Sequence, residues 1–160
     1  MEDIKEAYER LINSEEFCTG TKGEDAYLSS FSVMSECTKL ETAAWQIDYF
    51  SPSLNKITSF VMKSKIEVKP DQAMFQGGGA SALDLSAIKV SFKDALAKSE
   101  TILREKLKEY GQSIIAVLQN RKNALWIITY ITPSMKVACI EIDAETGESI
   151  SERADSFVIK

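Results

Sequence analysis

The amino-acid sequence predicts an α+β fold in which one helix followed by about four antiparallel strands occurs twice. The chain has two tryptophans, and both stand in the frame W-x-I-x-Y-x-[ST]-P-S, at Trp45 and Trp126. Similar segments precede them, "DIKEAY" from Asp3 and "SFKDAL" from Ser91, and each has the pattern of a capped helix start. Two matches in the same order indicate an internal duplication.

The run "QGGGAS" (76–81) separates the two copies, and its adjacent glycines suit a flexible joint because they are costly to order. We therefore expect a first helix-plus-sheet repeat at 1–75, a linker at 76–87 and a second repeat at 88–160. The distance from the first apolar helix residue to the tryptophan is 41 residues in the first copy and 34 in the second. The polar loop 19–25 can absorb this difference.

The first copy opens with an amphipathic helix over 3–13, where apolar residues recur at helical spacing. Asp3 and Glu6 resemble a capping box at its start. Alternation of apolar and polar residues then indicates strands, each ended by polar residues or proline. We expect strands at 26–34 and 40–50, one or two more within 56–68, and the end of the segment at Pro70.

The second copy opens with a helix predicted over 91–111, with Ser91 and Asp94 as a capping box and Gly111 as its C-terminal stop. Strands are predicted at 113–119, 124–132 and 136–142, followed by a turn at 143–148 and a final strand or tail. Gly147 in that turn can take a positive φ. The apolar stripe of the helix comprises Phe92, Ala95, Leu96, Leu103, Leu107 and Tyr110.

The tryptophan frame has a simple physical interpretation, because residues two apart on a strand point to the same face. Trp, Ile and Tyr of each frame form a large apolar face that can pack on the helix of the same copy, and the proline then ends the strand. The alternative is an aromatic platform for a ligand. The predicted core residues are Trp45, Ile47, Tyr49, Trp126, Ile128 and Tyr130.

The opposite face of each tryptophan strand differs between the copies. It carries Gln46, Asp48 and Phe50 in the first, and Ile127, Thr129 and Ile131 in the second. The second set is too apolar for open water, so it can pack on the other copy, on a second subunit or on a ligand. The possible interaction surface is therefore Phe50, Ile127 and Ile131.

Charge and composition exclude several classes of partner. The chain has 19 basic and 24 acidic residues, a net charge of −5, which disfavours nucleic acid and anionic membranes. No apolar run approaches the roughly 20 residues of a membrane span. Three cysteines without a C-x-x-C pair favour a reducing compartment. The expectation is a cytoplasmic protein, or an exported one trimmed of its leader.

Catalytic and metal-binding patterns are scarce. The chain has no histidine, which removes Ser-His-Asp and Cys-His nucleophiles and most zinc sites. "GGGASA" (77–82) matches a nucleotide-binding fingerprint, but no buried strand leads directly into it. "DAETGE" (143–148) lacks the glycine spacing of a calcium loop. We expect no enzymatic activity, no cofactor and no metal.

A family resemblance adds to this prediction. The helix start "SFKDALAKS", the strand "WIITYIT" and the segment "KVACIEIDAETGES" resemble the PepSY module over about 91–150. The resemblance implies a cystatin-like fold, one helix packed on an antiparallel sheet, and a non-catalytic role in binding or restraining another protein. In architecture, the tandem arrangement also resembles the beta-lactamase inhibitory protein.

The sequence thus leaves three hypotheses. The first is a binding or regulatory module of two tandem cystatin-like repeats acting on a protein or peptide. The second is a small-ligand carrier or enzyme with a pocket between the repeats. The third is a structural homodimer. The absence of any nucleophile–base pair favours the first over the second.

Overall fold

One antiparallel sheet of eight strands runs through both halves of the chain, in the order β4-β3-β2-β1-β5-β6-β7-β8. The structure is a computed structural model and describes residues 1–20, 24–73 and 81–156. It confirms the α+β class. The helices are α1 (Ile4–Ile12), α2 (Glu15–Gly20) and α3 (Phe92–Glu105), and the strands are β1 (Tyr27–Glu36), β2 (Gln46–Ser51), β3 (Lys56–Met62), β4 (Ile66–Ala73), β5 (Ser113–Asn120), β6 (Ala124–Ile131), β7 (Lys136–Asp143) and β8 (Ser149–Ser156).

The two halves join where β1 pairs with β5, and Ser32 lies directly opposite Val117 at this junction. Most of the predicted linker "QGGGAS" lies outside the described residues. The segment that follows it is packed, because Leu83 is buried and its N–H donates to the carbonyl of Leu28 at 2.9 Å. The N-terminal half therefore lies beside the C-terminal half in one sheet and does not cover it.

Helices pack on one face of the sheet only, within the described part of the chain. Helix α1 contacts β3, and α3 contacts β6 and β7. Buried side chains on this inner face alternate with half-buried ones along β5 and β7, as the pleat requires. The core assignment from the tryptophan frames is confirmed, with all six side chains at most 6% exposed: Trp45, Ile47, Tyr49, Trp126, Ile128 and Tyr130.

Each tryptophan is anchored to the start of a helix. The indole N–H of Trp45 donates to the carbonyl of Glu2 at 2.8 Å, and that of Trp126 donates to the carbonyl of Val90 at 2.9 Å. In both cases the acceptor belongs to the residue before the helix cap. Phe92 lies against both indoles, with ring centroids 5.0 and 5.3 Å away, so the two halves share one aromatic core.

The second and fourth strands of the N-terminal half differ from prediction. The strand expected at 40–50 begins at Gln46, because Cys37–Thr42 forms a 3-10 turn. The segment 56–68 divides into two strands, and Pro70 lies inside the second of them, β4, and does not end it. Proline is tolerated there because β4 is an edge strand and pairs on one side only.

Helix α2 was not predicted and overlaps the expected loop 19–25, of which residues 21–23 lie outside the described part. The hydroxyl of Ser14 accepts from the N–H of Phe17 at 3.1 Å and so caps the helix. The Phe17 ring packs 5.0 Å from Tyr49 and 5.9 Å from Phe60. Tertiary contacts of one aromatic residue thus stabilise a helix that its polar neighbours do not predict.

Helix α3 ends at Glu105, six residues before the predicted stop. The chain turns through Lys108, whose φ is 57°, and Tyr110 is consequently 70% exposed and outside the apolar stripe. Gly111 serves packing instead, since a Cβ there would lie 2.5 Å from Cδ1 of Tyr130. The predicted turn at 143–148 is confirmed, with Gly147 at φ 81°.

Candidate binding face

The face of the sheet opposite the helices, here called the open face, carries no helix in the described part of the chain. Because residues directly opposite each other on neighbouring strands point to the same face, the register defines rows of side chains across the sheet. One row spans all eight strands. In order from β4 to β8 it comprises Glu67, Val61, Gln46, Ser32, Val117, Ile127, Glu141 and Ser151.

The centre of the N-terminal half of the open face is polar and internally hydrogen-bonded, whereas Phe50 with its neighbours Tyr27 and Ile57 forms an apolar row at one end. Asp48 accepts from the side-chain amide of Gln46 at 3.0 Å and from the hydroxyl of Ser30 at 3.3 Å. The ammonium of Lys69 donates to the amide oxygen of Gln46 at 2.7 Å. These groups satisfy one another's hydrogen-bonding capacity and remain in contact with water, as is usual for the solvated face of an antiparallel sheet.

The open face of β5, β6 and β7 is mainly apolar, with Thr129 among its members, and Met34 of β1 extends it. Met34 is 77% exposed and lies opposite Ile115, and Val117 lies opposite Ile127 one row away. Except for Met34, the members are partly buried by their neighbours in the sheet. We call this set of side chains the apolar patch, and it comprises Met34, Ile115, Val117, Ile127, Ile131 and Val137.

Two of the three side chains predicted as an interaction surface belong to the apolar patch, namely Ile127 and Ile131. Phe50 also lies on the open face but in the other half of the sheet. It is only 6% exposed, because its ring packs edge-on against Tyr27 at 5.8 Å. The structure therefore does not bring Phe50 together with the isoleucines, and it leaves Phe50 little surface for a partner.

Sequence reasoning missed the four other members of the patch. A usable signal exists in "SIIAVLQ", because strict alternation places every second residue of β5 on one face. Ile114, Ala116 and Leu118 are buried under the helices, so Ile115 and Val117 must face the other way. What the sequence does not show is that β5 lies beside β1, which adds Met34 to the patch.

Charged side chains border the apolar patch. Arg121 forms an ion pair with Glu141 at 3.3 Å beside Ile127. On the neighbouring edge strand β8, Arg153 and Asp155 lie on the same face, opposite Cys139 and Val137. An apolar centre with a charged border is the usual organisation of a protein–protein interface.

The cysteines are free and differ in environment. Cys37 is half-buried in a cavity of about 270 Å³ that Glu100 and Tyr130 also line. Burial, together with the charge of Glu100, raises the pKa of the Cys37 thiol and keeps it protonated at neutral pH, which is unfavourable for nucleophilic chemistry. In the described ranges no group of three or more Cys, Asp or Glu side chains is placed to hold a metal ion.

The core contains one buried hydroxyl pair, in which Ser99 and Tyr130 lie 2.6 Å apart. Burial raises the pKa of Tyr130, and burial with the hydroxyl of Tyr8 raises the pKa of Tyr49. Both phenols stay neutral at physiological pH. Their position under the helices gives them a structural role in satisfying polar groups within the core.

A cleft of about 470 Å³ opens between the starts of α1 and α3. Its acidic groups already have partners: Glu2 pairs with Arg10 at 2.9 Å, and Asp3 caps α1. The remainder of the lining combines apolar side chains, Phe92 and Leu96 among them, with the polar Glu41, Ser91 and Lys93.

Comparisons with known proteins give little beyond the fold. No family model matches the chain, and no curated protein matches it. A solved structure from Clostridium difficile 630, described as a "putative lipoprotein", is similar with a TM-score of 0.59 and 14% identity over 92% of each chain. At this identity the likeness concerns the fold alone. Among the helices described, none has the length and apolar character needed to cross a membrane.

Proposed function

We propose that the protein is a non-catalytic binding module that holds a protein or peptide partner on the apolar patch of its open face. The observation that carries this proposal is the mainly apolar area that neighbouring strands form where no helix of the described residues covers the sheet. Full burial of an isoleucine side chain contributes about 1.5–3 kcal/mol relative to full exposure. The patch residues are only partly buried, so a partner that covers them gains a fraction of that energy at each one.

Two tandem repeats of the cystatin-like, PepSY-like type are part of the same proposal. Each tryptophan bonds to the residue before a helix cap, which is one parallel between the halves. The strand register provides a second. In the shared frame Ile47 corresponds to Ile128, and their strand partners are Phe31 and Ala116. The residues that follow these partners are Ser32 and Val117. They lie directly opposite each other where β1 pairs with β5, as a two-fold relation between the halves requires.

The [ST]-P-S ending of the frame supplies a third parallel. Asp25 accepts from the hydroxyl of Ser51 at 2.8 Å and from the N–H of Ser53 at 2.8 Å. In the other half Glu109 accepts from the hydroxyl of Ser134 at 3.2 Å. A carboxylate from the segment before the first strand of each half thus holds the turn that follows the tryptophan strand.

Two observations bear on the cellular compartment, and they favour different ones. Three free cysteines favour a reducing compartment and hence the cytoplasm. The description of the similar Clostridium difficile structure as a "putative lipoprotein" favours an exported protein. Fractionation of the native cells distinguishes the two, and the proposed binding mode is compatible with either.

The proposal is tested by affinity capture from native lysate with three proteins. They are the wild type, the variant Ile127→Asp/Ile131→Asp, and the control Lys69→Asp on the polar half of the same face. We expect a stoichiometric protein partner with the wild type and the control, and its loss with the double variant, because two carboxylates in the patch prevent its desolvation.

Thermal melting of all three proteins must accompany the capture, since a loss of binding is informative only if the fold persists. Capture that is equal for the wild type and a folded double variant would contradict the proposal. Ile127→Thr/Ile131→Thr provides a milder pair that keeps β-branched side chains and strand propensity.

The cleft between the starts of α1 and α3 favours one second candidate, a small-ligand carrier. Its volume of about 470 Å³ is within the range of ligand sites, and Phe92 contributes apolar surface to it. Mass spectrometry of the native protein, before and after denaturation, tests this function. A small molecule that is released only on denaturation would support a carrier.

A further inference from the structure

The two edges of the sheet differ in how they are protected. Strand β4 contains Pro70, which has no N–H to offer to a further strand, and helix α2 packs beside it. Strand β8 forms the other edge, spans eight residues and contains neither proline nor glycine. Its register with β7 shifts once, at Ile150, and is unbroken from Ser151 to Ser156. An uninterrupted edge segment of this kind is a template for pairing with another strand.

We propose that β8 pairs antiparallel with β8 of a second copy of the chain, in a register centred on Ala154. In this register Arg153 of each copy lies opposite Asp155 of the other. The charges select this arrangement over its neighbours, and the proposal does not depend on the function proposed for the open face.

The side chains of Arg153 and Asp155 are placed to make these contacts. They lie opposite Cys139 and Val137 of β7, so both project from the open face. Arg153, Ala154 and Asp155 are exposed. Neither Arg153 nor Asp155 forms an ion pair with any residue that the structure describes. Glu152, by contrast, points to the helix side and pairs with Lys106 at 2.7 Å.

Other registers are less favourable. Directly opposed residues in an antiparallel pair share a face, so a symmetric pair must be centred on a residue and can shift only in whole steps. Centring on Arg153 places two guanidinium groups opposite each other, and centring on Glu152 or Asp155 opposes two carboxylates. Like charges in direct opposition destabilise a strand pair, whereas opposite charges stabilise it. Centring on Ala154 alone gives two attractive contacts.

The pairing has a geometric consequence for the open face. A two-fold axis through Ala154 stands perpendicular to the sheet, so the open faces of both copies point to the same side. The two apolar patches then lie on the same face of one continuous sheet, one on each side of the β8–β8 junction. The area buried between two short strands is smaller than that of a standard stable interface. We therefore expect a weak dimer, with a dissociation constant in the micromolar to millimolar range.

Charge reversal tests this register directly. The proteins compared by sedimentation equilibrium at low ionic strength are the wild type, Arg153→Asp, Asp155→Arg and the double variant Arg153→Asp/Asp155→Arg. Each single reversal replaces two attractive contacts with two repulsive ones, so we expect the dimer dissociation constant to rise about tenfold or more. The double reversal restores opposite charges and should return it close to the wild-type value.

Three results would overturn the proposal. They are a wild type that remains monomeric up to millimolar concentration, single reversals without effect on the dimer, and a folded double variant that fails to dimerise. A dimer lost in Ile127→Asp/Ile131→Asp but unaffected by the charge reversals would assign self-association to the open face instead. Because the reversed side chains are exposed, we expect all variants to fold, and thermal melting checks this.

Discussion

The two halves of the sheet have matching inner faces and different outer faces. On the inner face Trp45 and Trp126 are both buried and both bonded to the start of a helix. On the outer face Gln46 in one half holds the position that Ile127 holds in the other. The inner face is constrained by the helices that cover it, whereas the outer face is open to variation. Under the proposed function, this difference between the halves places the partner on the apolar patch.

The largest expected effect tests whether the inner faces are equivalent. Trp126→Ala and Trp45→Ala each remove a fully buried indole and its hydrogen bond, and each should reduce the free energy of unfolding by about 3–5 kcal/mol. Urea denaturation measures both. A cost below about 1 kcal/mol for one of them would show that the two halves do not depend on their tryptophans alike.

A smaller loss of stability is expected from a substitution in the loop before β5, where the two halves differ. Gly111→Ala places a Cβ 2.5 Å from Cδ1 of Tyr130 and should reduce the free energy of unfolding by about 1–3 kcal/mol through overpacking. The control is Ser113→Ala, at the start of the next strand. Equal melting temperatures for Gly111→Ala and the control would contradict the close approach of this loop to Tyr130.

The next prediction concerns the stability that the buried hydroxyl pair of Ser99 and Tyr130 contributes to the core. Ser99→Ala leaves the phenol of Tyr130 without its 2.6 Å partner and should cost about 1–2 kcal/mol of unfolding free energy. Adding Tyr130→Phe removes the unsatisfied group, so the double variant should recover part of that loss. Additive costs in denaturant titrations of the two single variants and the double variant would argue against a coupled pair.

The smallest expected effect concerns the carboxylates that hold the two turns. The hydroxyl of Ser51 lowers the pKa of Asp25, and Lys136 lowers the pKa of Glu109. A carboxylate with a lowered pKa in the folded state contributes stability above its unfolded pKa of about 4, and this contribution is lost as the pH falls through the folded pKa. Asp25→Asn and Glu109→Gln should therefore flatten the acid limb of melting temperature against pH. An unchanged limb in both would contradict this role.

Much of the inner face could be predicted from the sequence. The period of two in the tryptophan frames identified six core residues, and Ser91 was correctly placed as a helix cap that accepts from Asp94 at 3.1 Å. The predictions failed where tertiary contacts decide. Helix α2 depends on where Phe17 packs, and the end of α3 depends on a turn through Lys108 that no local pattern marks.

The open face was only partly predictable, because it depends on which strands are neighbours. The pattern of β6 indicated Ile127 and Ile131, but the pairing of β1 with β5 is long-range and has no local signal. That pairing joins the halves into one sheet and brings Met34 beside Ile115. Phe50 was grouped with the isoleucines from its position in the frame, whereas its burial depends on Tyr27 of the neighbouring strand.

The central claim, that the C-terminal half of the open face binds a protein partner, is tested most directly by site-specific photo-crosslinking in the native cells. A photoreactive amino acid is placed at Ile127 in one variant and at the corresponding Gln46 in another. The account predicts a discrete adduct with one protein from position 127 and little or none from position 46. Adducts of equal yield from both positions, or none from position 127 in a folded protein, would contradict it.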